Sequence, residues 1–200
     1  MVILIASERD LPNELDTLHQ LFEAGLEFYH FRKPSYDVDK CGAYLSQIDP
    51  LFLNRIMIHD HHELTQTYPV KGIHLEERKW REKGSKLTSY VANFKSQGFQ
   101  VSSSYHEVED LMTQEVSFDY YMLSPVFGAI SKPGYKGRGF EVSHINKTIV
   151  GMGGINAKTT PEALSLGFHG VGTLGGIWNA VNPVEAFNEI QTAFQNKTNL

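Results

Sequence analysis

The chain is poor in cysteine and in basic residues. Cys41 is the single cysteine among its 200 residues, so no internal disulfide can form, and we expect a protein of a reducing compartment. The 18 lysines and arginines are outnumbered by 23 aspartates and glutamates. No stripe of lysine and arginine dominates any segment, which argues against a general nucleic-acid surface.

Long apolar runs are also missing. The first ten residues, MVILIASERD, begin with an apolar stretch that is far too short for a membrane span. They also lack the basic start and the cleavage pattern of a signal peptide. We therefore expect a cytoplasmic protein that has neither membrane nor nucleic-acid partners.

What the chain does contain is an alternation of short apolar runs with segments of helical spacing. An apolar content of 41% over 200 residues suffices for one domain, residues 1–200, with a sizeable core. Eight apolar runs predict buried parallel strands: 2–6, 28–31, 56–58, 72–75, 100–103, 119–123, 148–152 and 170–174.

Two α/β architectures have this pattern, a (β/α)8 barrel and an open doubly wound sheet. No G-x-G-x-x-G motif follows the first run, which weakens the dinucleotide-binding version of the open sheet. Polar residues follow many of the runs, and in a barrel they would converge on one face. We therefore predict a (β/α)8 TIM barrel. We expect a shortened helix between strands six and seven, because residues 140–147 leave room for barely two turns.

The last two predicted strands each end in a pair of glycines, Gly153-Gly154 and Gly175-Gly176. Glycine lets the backbone bend sharply and leaves its N–H groups unshielded by side chains. Such pairs also occur in tight turns that bind nothing. Two pairs at consecutive strand ends favour an anion site, since in barrels a phosphate often binds on the loops after strands seven and eight.

Further basic and polar residues suit an anionic ligand. Arg32 and Lys33 follow the second strand and offer a bidentate clamp plus a point charge, although a solvated strand end accounts for them equally well. Ser131 and Lys132 lie in the glycine-rich loop SPVFGAISKPGYKGRG. That loop would suit a pyrophosphate or act as a lid, and the alternative is a surface loop without a function.

A run of four polar residues, from His59 to His62, follows the third strand. Side chains at a strand end alternate in direction, so at most two of them can face one ion, and zinc is only weakly indicated. Asp60 alone could hold Mg²⁺ through water and substrate phosphates. His30 and His74 lie within strands, and for His30 we favour a core histidine that is satisfied by hydrogen bonds.

Six segments together resemble the thiamin phosphate synthase family, including its thiazole tautomerase relatives. In chain order they are FYHFRKP, IMIHDHHEL, GIHL, YYMLSPVFGAISKPGYKGRG, IVGMGGIN and GFHGVGTLGGIW. Each segment is a modest signal, but their order and spacing extend over nearly the full chain. The resemblance implies a (β/α)8 barrel that joins a pyrimidine diphosphate to a thiazole phosphate and releases pyrophosphate, with Mg²⁺ as cofactor.

The resemblance also assigns roles to individual residues. Catalytic roles near the departing pyrophosphate fall on Arg32, Ser102 and Lys132, and Asp60 is the implied Mg²⁺ ligand. The implied substrate-binding residues are Lys33, His59, Ser131, Gly153, Gly154, Gly175 and Gly176.

Several positions depart from the synthase pattern, and in the loop after strand six Ala129 and Ser131 stand in place of two threonines. Lys79 stands where the family has its second metal-binding aspartate, so its ammonium could supply some of the cationic charge. The family lysine after Arg32 falls on Pro34, and Lys33 could serve in its place only if the loop shifts. His59 replaces an asparagine.

Two alternatives to a synthase stay open. The loop KPGYKGRG is closer in pattern to the tautomerase branch, but Pro125 stands where that branch has its acid/base histidine. A tautomerase would need another proton carrier, such as His59 or His106. The third hypothesis is a non-catalytic binder of thiazole phosphate that keeps the glycine pairs. A homodimer is a further open expectation.

Overall fold

The computed structural model describes residues 1–128 and 137–198. Its eight strands are β1 (Val2–Ile5), β2 (Phe28–Phe31), β3 (Ile56–Ile58), β4 (Gly72–Leu75), β5 (Gln100–Tyr105), β6 (Tyr120–Leu123), β7 (Ile149–Met152) and β8 (Gly170–Thr173).

The α-helices of the described residues lie mostly between these strands. They are α1 (Glu14–Glu23), α2 (Val38–Leu45), α3 (Pro50–Leu53), α4 (Glu77–Lys83), α5 (Leu87–Ser96), α6 (Val108–Thr113), α7 (Thr160–Ser165), α8 (Gly175–Trp178) and α9 (Pro183–Thr198). Short 3-10 helices cover His62–Gln66 and Gly84–Lys86. In this part of the chain, no helix is both long and apolar enough to cross a bilayer.

The strands form a closed barrel in chain order, and every neighbouring pair is parallel. The barrel closes where β8 pairs with β1, with Leu4 opposite Thr173. Parallel neighbours need crossover connections, and the helices supply most of them on the outside. The predicted (β/α)8 TIM barrel is confirmed.

The alternation of side chains along each strand separates an inner from an outer core. One buried cluster fills the barrel lumen: Ile3, Ile5, Met57, Tyr120, Met122 and Val150. Residues at intervening positions, such as Leu4, Tyr29 and Ile58, belong to the larger cluster that the helices cover. Because the strands are buried on both faces, the sequence shows them as continuous apolar runs.

Several helix ends follow local sequence signals. The carboxylate of Asp37 accepts a hydrogen bond from the N–H of Lys40 (2.8 Å) at the start of α2. Asp49 caps α3 in the same way, ahead of Pro50. Gly167 follows α7 with a φ of +94°, a conformation typical of glycine at the end of a helix.

The connection between β6 and β7 corrects one expectation. The described residues of this connection, 124–128 and 137–148, contain turns and none of the shortened helix that we expected over 140–147. Val142 and Ile145 are buried, and the N–H of Val142 donates to the carbonyl of Leu166 (2.8 Å). This N–H is therefore bonded to the end of α7 and cannot take part in a local helix.

Candidate functional site at the barrel mouth

The carboxyl ends of the eight parallel strands meet at one mouth of the barrel. Arg32 follows β2 directly, and Asp60 lies two residues beyond β3. Gly153 follows β7, and Gly175 begins α8 two residues after the end of β8. The topology thus brings predicted residues from separate parts of the chain to the same end of the barrel.

Arg32 is held at this mouth by two carboxylates. Its guanidinium forms ion pairs with Glu8, beyond β1, and with Glu76, beyond β4. Burial raises the pKa of Glu76, but the hydrogen bond and the charge of Arg32 outweigh this effect and hold that pKa below its ordinary value. About a quarter of the Arg32 side chain remains exposed, so it can contact a ligand at the mouth.

Asp60 is paired with Lys79 rather than free to bind a cation. The Lys79 ammonium donates to the Asp60 carboxylate and to the carbonyl oxygen of His59 (2.6 Å). A cavity of about 500 Å³ opens beside this pair, with His62 and Tyr90 among its other lining residues. The cation nearest to Asp60 is thus the lysine that replaces the family's second aspartate.

The carboxylates at the mouth therefore do not fit a metal site that the protein builds alone. Asp60 is bound by Lys79, and Glu8 and Glu76 are bound by Arg32. Among the described residues, Asp60 belongs to no group of three or more potential metal ligands. Mg²⁺ prefers several oxygen ligands. In this arrangement the phosphate oxygens of the substrates would have to supply most of those ligands.

Lys33 lies away from the mouth, although we predicted that it binds substrate. Its ammonium is buried, donates to Glu14 (2.7 Å) in α1 and to the carbonyl of Arg9 (3.0 Å), and lies 5.9 Å from the ring centre of Tyr44. The alternation along β2 explains this, because Arg32 and Lys33 point to opposite faces. The ion pair of Lys33 with Glu14 therefore links the end of β2 to α1.

Ser102 lies in the lumen. It is fully buried on β5, and its hydroxyl lies 2.8 Å from Nδ1 of His74 on β4. Ser131 and Lys132, the two loop residues for which we predicted substrate contacts, fall outside the described residues.

Three histidines share the lumen below the mouth. His30 Nδ1 lies 2.8 Å from His59 Nε2, and His30 Nε2 lies 2.7 Å from the hydroxyl of Tyr120. The rings of His59 and His74 stack with centres 4.2 Å apart. We predicted His30 as a hydrogen-bonded core residue, and its contacts agree with that.

Burial keeps these imidazoles neutral. It lowers the pKa of His30 to about 3 and places the pKa values of His59 and His74 well below the ordinary value for histidine. Among the described residues, His59 Nδ1 has no hydrogen-bond partner, and the nearest charged group is the Glu76 carboxylate at 3.7 Å.

The three histidines were not predicted as a group. We treated His59 as part of a polar run and as an implied substrate-binding residue, and we favoured a core role for His30 alone. The available signal was their position, since each lies at or just beyond an inward-facing site on three consecutive strands, β2, β3 and β4.

The glycine turn after β7 has the backbone geometry that we expected. Gly153 and Gly154 have φ values of +96° and +67°, which side chains rarely allow. A Cβ at Gly154 would lie 2.5 Å from the carbonyl oxygen of Gly128, and one at Gly176 would lie 2.3 Å from that of Ile155. Packing alone therefore requires glycine at both positions.

The N–H groups of Gly153 and Gly154 are nevertheless available. Within the described parts of the chain, neither of them donates to an acceptor. Two adjacent free N–H groups in left-handed backbone form a concave donor pair of the kind that binds anions. The tight-turn and anion-site interpretations are therefore compatible with each other.

Comparison with known families identifies one over most of the chain. The family described as thiamine monophosphate synthase matches residues 2–177. A search of curated proteins found no significant match.

Solved structures agree with this assignment. A thiamine phosphate pyrophosphorylase from Bacteroides thetaiotaomicron is similar at 25% identity with a TM-score of 0.76, covering 97% of each chain. One from Pyrococcus furiosus has 16% identity and a TM-score of 0.78, covering 98% of this chain and 96% of its own. A 3-hexulose-6-phosphate synthase from Salmonella typhimurium has 14% identity and a TM-score of 0.65, covering 98% and 99%. The last two likenesses concern the fold alone.

Proposed function

The chain belongs to the thiamine monophosphate synthase family, and from that premise we propose that it is a transferase. In the proposed reaction, hydroxymethylpyrimidine diphosphate is coupled to thiazole phosphate and pyrophosphate is released. One observation carries the proposal. The mouth has cationic side chains, Arg32 and Lys79, beyond β2 and in α4, and a turn beyond β7 whose N–H groups have no acceptor among the described residues.

The cationic side suits the diphosphate. In a dissociative reaction the C–O bond to pyrophosphate breaks first, and negative charge grows on the leaving group before the thiazole nitrogen attacks the pyrimidine cation. Guanidinium and ammonium groups stabilise that charge best where water is partly excluded. The diphosphate would replace the largely exposed Glu8 as a partner of Arg32, while Glu76 keeps the guanidinium in position.

The glycine side suits the thiazole phosphate. The N–H groups of Gly153 and Gly154 would donate to its phosphate oxygens, and the start of α8 at Gly175 and Gly176 lies on the neighbouring strand end. Holding both substrates at one mouth places the attacking nitrogen near the pyrimidine, which by itself accounts for a large part of the rate enhancement in bimolecular reactions.

The Mg²⁺ that the family resemblance implies stays a prediction. Because each carboxylate at the mouth is paired with a cation of the protein, we assign no step to Mg²⁺ and give Lys79 part of the charge that a metal would supply. Asp60 is the carboxylate that we expect beside an ion that arrives with the diphosphate.

A variant of Arg32 tests the proposed role. Arg32→Gln removes the charge, and we expect it to lower kcat/KM for pyrophosphate release by about 10²-fold, since it withdraws a group aimed at the developing negative charge. Arg81→Gln is the matched control, because Arg81 also forms two ion pairs but lies on the exposed face of α4. Similar losses in both variants, or none in either, would contradict the role of Arg32.

A thiazole tautomerase is the second candidate, and one observation favours it. His59 is neutral and has a ring nitrogen without a hydrogen-bond partner in the described residues, as a proton carrier would need. Deuterium exchange into a thiazole phosphate substrate, without any pyrimidine diphosphate, would support the tautomerase. Binding of thiazole phosphate without either reaction would support a non-catalytic binder.

A further inference from the structure

The lumen below the mouth brings three imidazoles together in a way that the transferase proposal does not use. One ring nitrogen from each of His30, His59 and His74 lies within 4.8 Å of the others, and the three residues are 0%, 4% and 1% exposed. We propose that these three histidines bind one first-row transition metal ion of the Zn²⁺ class inside the barrel. This inference is independent of the transferase activity.

The outer nitrogen of each ring already faces a suitable partner. His30 Nε2 lies 2.7 Å from the Tyr120 hydroxyl, and His74 Nδ1 lies 2.8 Å from Ser102 Oγ. His59 Nδ1 points towards the Glu76 carboxylate at 3.7 Å. Histidines that bind metals typically donate their second N–H to such groups, which fixes the ring and leaves the other nitrogen to the ion.

The inner nitrogens are then His30 Nδ1, His59 Nε2 and His74 Nε2. The first two are 2.8 Å apart and now share a single hydrogen. Nitrogens bound tetrahedrally to Zn²⁺ at about 2.0 Å lie roughly 3.3 Å from one another. For this pair an ion requires a separation of about 0.5 Å while it replaces the shared hydrogen, and the His74 nitrogen, within 4.8 Å of the other two, has to move towards them.

The donor set selects the class of ion. Three neutral imidazoles suit Zn²⁺, Co²⁺ and Ni²⁺, whereas Mg²⁺ requires oxygen ligands. Glu76 supplies negative charge beside His59, at 3.7 Å from its Nδ1. Three histidines leave a fourth coordination position for water.

Direct titration of the full chain tests the site. Protein stripped with a chelator is titrated with CoCl₂ and followed by visible absorption, with ZnSO₄ as competitor and MgCl₂ as the negative control. We expect one Co²⁺ per chain with the intense bands of a tetrahedral complex, displacement by Zn²⁺ and no effect of Mg²⁺. Wild-type protein that binds no Co²⁺ would overturn the proposal, whatever the outcome of activity assays.

Variants locate the site. His74→Gln is expected to weaken Co²⁺ binding at least 100-fold, and Ser102→Ala about tenfold, because the serine only orients a ligand. His61→Gln and His106→Gln change histidines outside the group and are expected to retain full affinity. Circular dichroism confirms that each variant is folded. Full Co²⁺ binding by folded His74→Gln, or its loss in His61→Gln, would assign the ion to another site and overturn the proposal.

Discussion

Lys79 donates to the carboxylate of Asp60, the side chain that the family resemblance assigns to Mg²⁺. The resemblance implies a second metal-binding aspartate at position 79, and the lysine that stands there is bonded to Asp60. The same ammonium donates to the carbonyl of His59, which fixes it at the mouth. In the proposed reaction this ammonium supplies part of the cationic charge that the family resemblance assigns to Mg²⁺.

Replacement of that lysine should alter metal binding. In Lys79→Asp two carboxylates face each other without a cation between them, and we expect Mg²⁺ affinity, measured by calorimetry in the absence of substrate, to rise at least about tenfold. Lys83→Asp makes the same charge change one turn further along α4 and is the control. Equal Mg²⁺ affinity in Lys79→Asp and wild type would show that the pair with Asp60 does not limit metal binding.

The buried pair of Lys33 with Glu14 should matter for folding rather than for catalysis. Glu14→Gln leaves the buried Lys33 ammonium with only the exposed carboxylate of Asp10, at 3.6 Å, as a countercharge, so we expect the free energy of unfolding, measured with urea, to fall by about 3 kcal/mol. Lys40→Met removes an exposed partner of Asp10 and should have a far smaller effect. A stable Glu14→Gln protein with impaired substrate binding would instead place Lys33 in the site.

Gly154→Ala should lower the stability of the fold more than the same substitution at Gly98. Gly98 also has a positive φ, +88°, but a Cβ there meets no atom within 4 Å. Gly98→Ala should therefore cost only the backbone strain, about 1 kcal/mol. Gly154→Ala adds a contact of 2.5 Å with a carbonyl oxygen, and we expect a further loss of stability and weaker binding of thiazole phosphate. Equal stability of the two variants by thermal denaturation would contradict this difference.

Stability should fall as the pH is lowered from 7 to 5. In the unfolded chain the lumen histidines take up protons below about pH 6.5, whereas burial lowers the pKa of His30 to about 3 and those of His59 and His74 well below normal in the folded protein. The unfolded state then binds more protons, so stability is fully present above pH 6.5 and is lost as the pH falls.

Urea unfolding at several pH values measures this dependence. His30→Gln should reduce the slope by close to one proton, while Tyr120→Phe, which removes a hydrogen bond but no histidine, should leave the slope unchanged. A flat profile between pH 7 and 5 in the wild type would mean that the three histidines are not buried as neutral groups.

The barrel could be predicted because its signals are local and repeated. Most strands are short apolar runs, such as Ile56–Ile58, and those after the first follow a segment with helical spacing or a turn signal. The polar residues that follow many strands then favoured a closed barrel over an open sheet, because in a barrel they converge on one face. The connection between β6 and β7 could not be predicted in this way, because the contact of Val142 with Leu166 depends on a distant part of the chain.

The site was predicted only in part, for a similar reason. The sequence places Arg32 at a strand end. Its carboxylate partners, Glu8 and Glu76, follow β1 and β4, and only the folded barrel brings them to Arg32. We predicted that Lys33 contacts substrate beside Arg32. Adjacent residues along a strand face opposite sides, however, and the Lys33 ammonium lies away from the mouth. The histidine cluster depends on the register between strands, which a single sequence does not specify.

The central claim is that the mouth couples two phosphorylated substrates, and pyrophosphate release is its most direct measure. The wild-type protein is assayed with hydroxymethylpyrimidine diphosphate alone, with thiazole phosphate alone and with both, each with and without Mg²⁺. We predict release that requires both substrates and yields thiamin phosphate by mass spectrometry. Thiazole phosphate that binds in a parallel titration, without any release under these conditions, would contradict the transferase and leave the tautomerase or the non-catalytic binder.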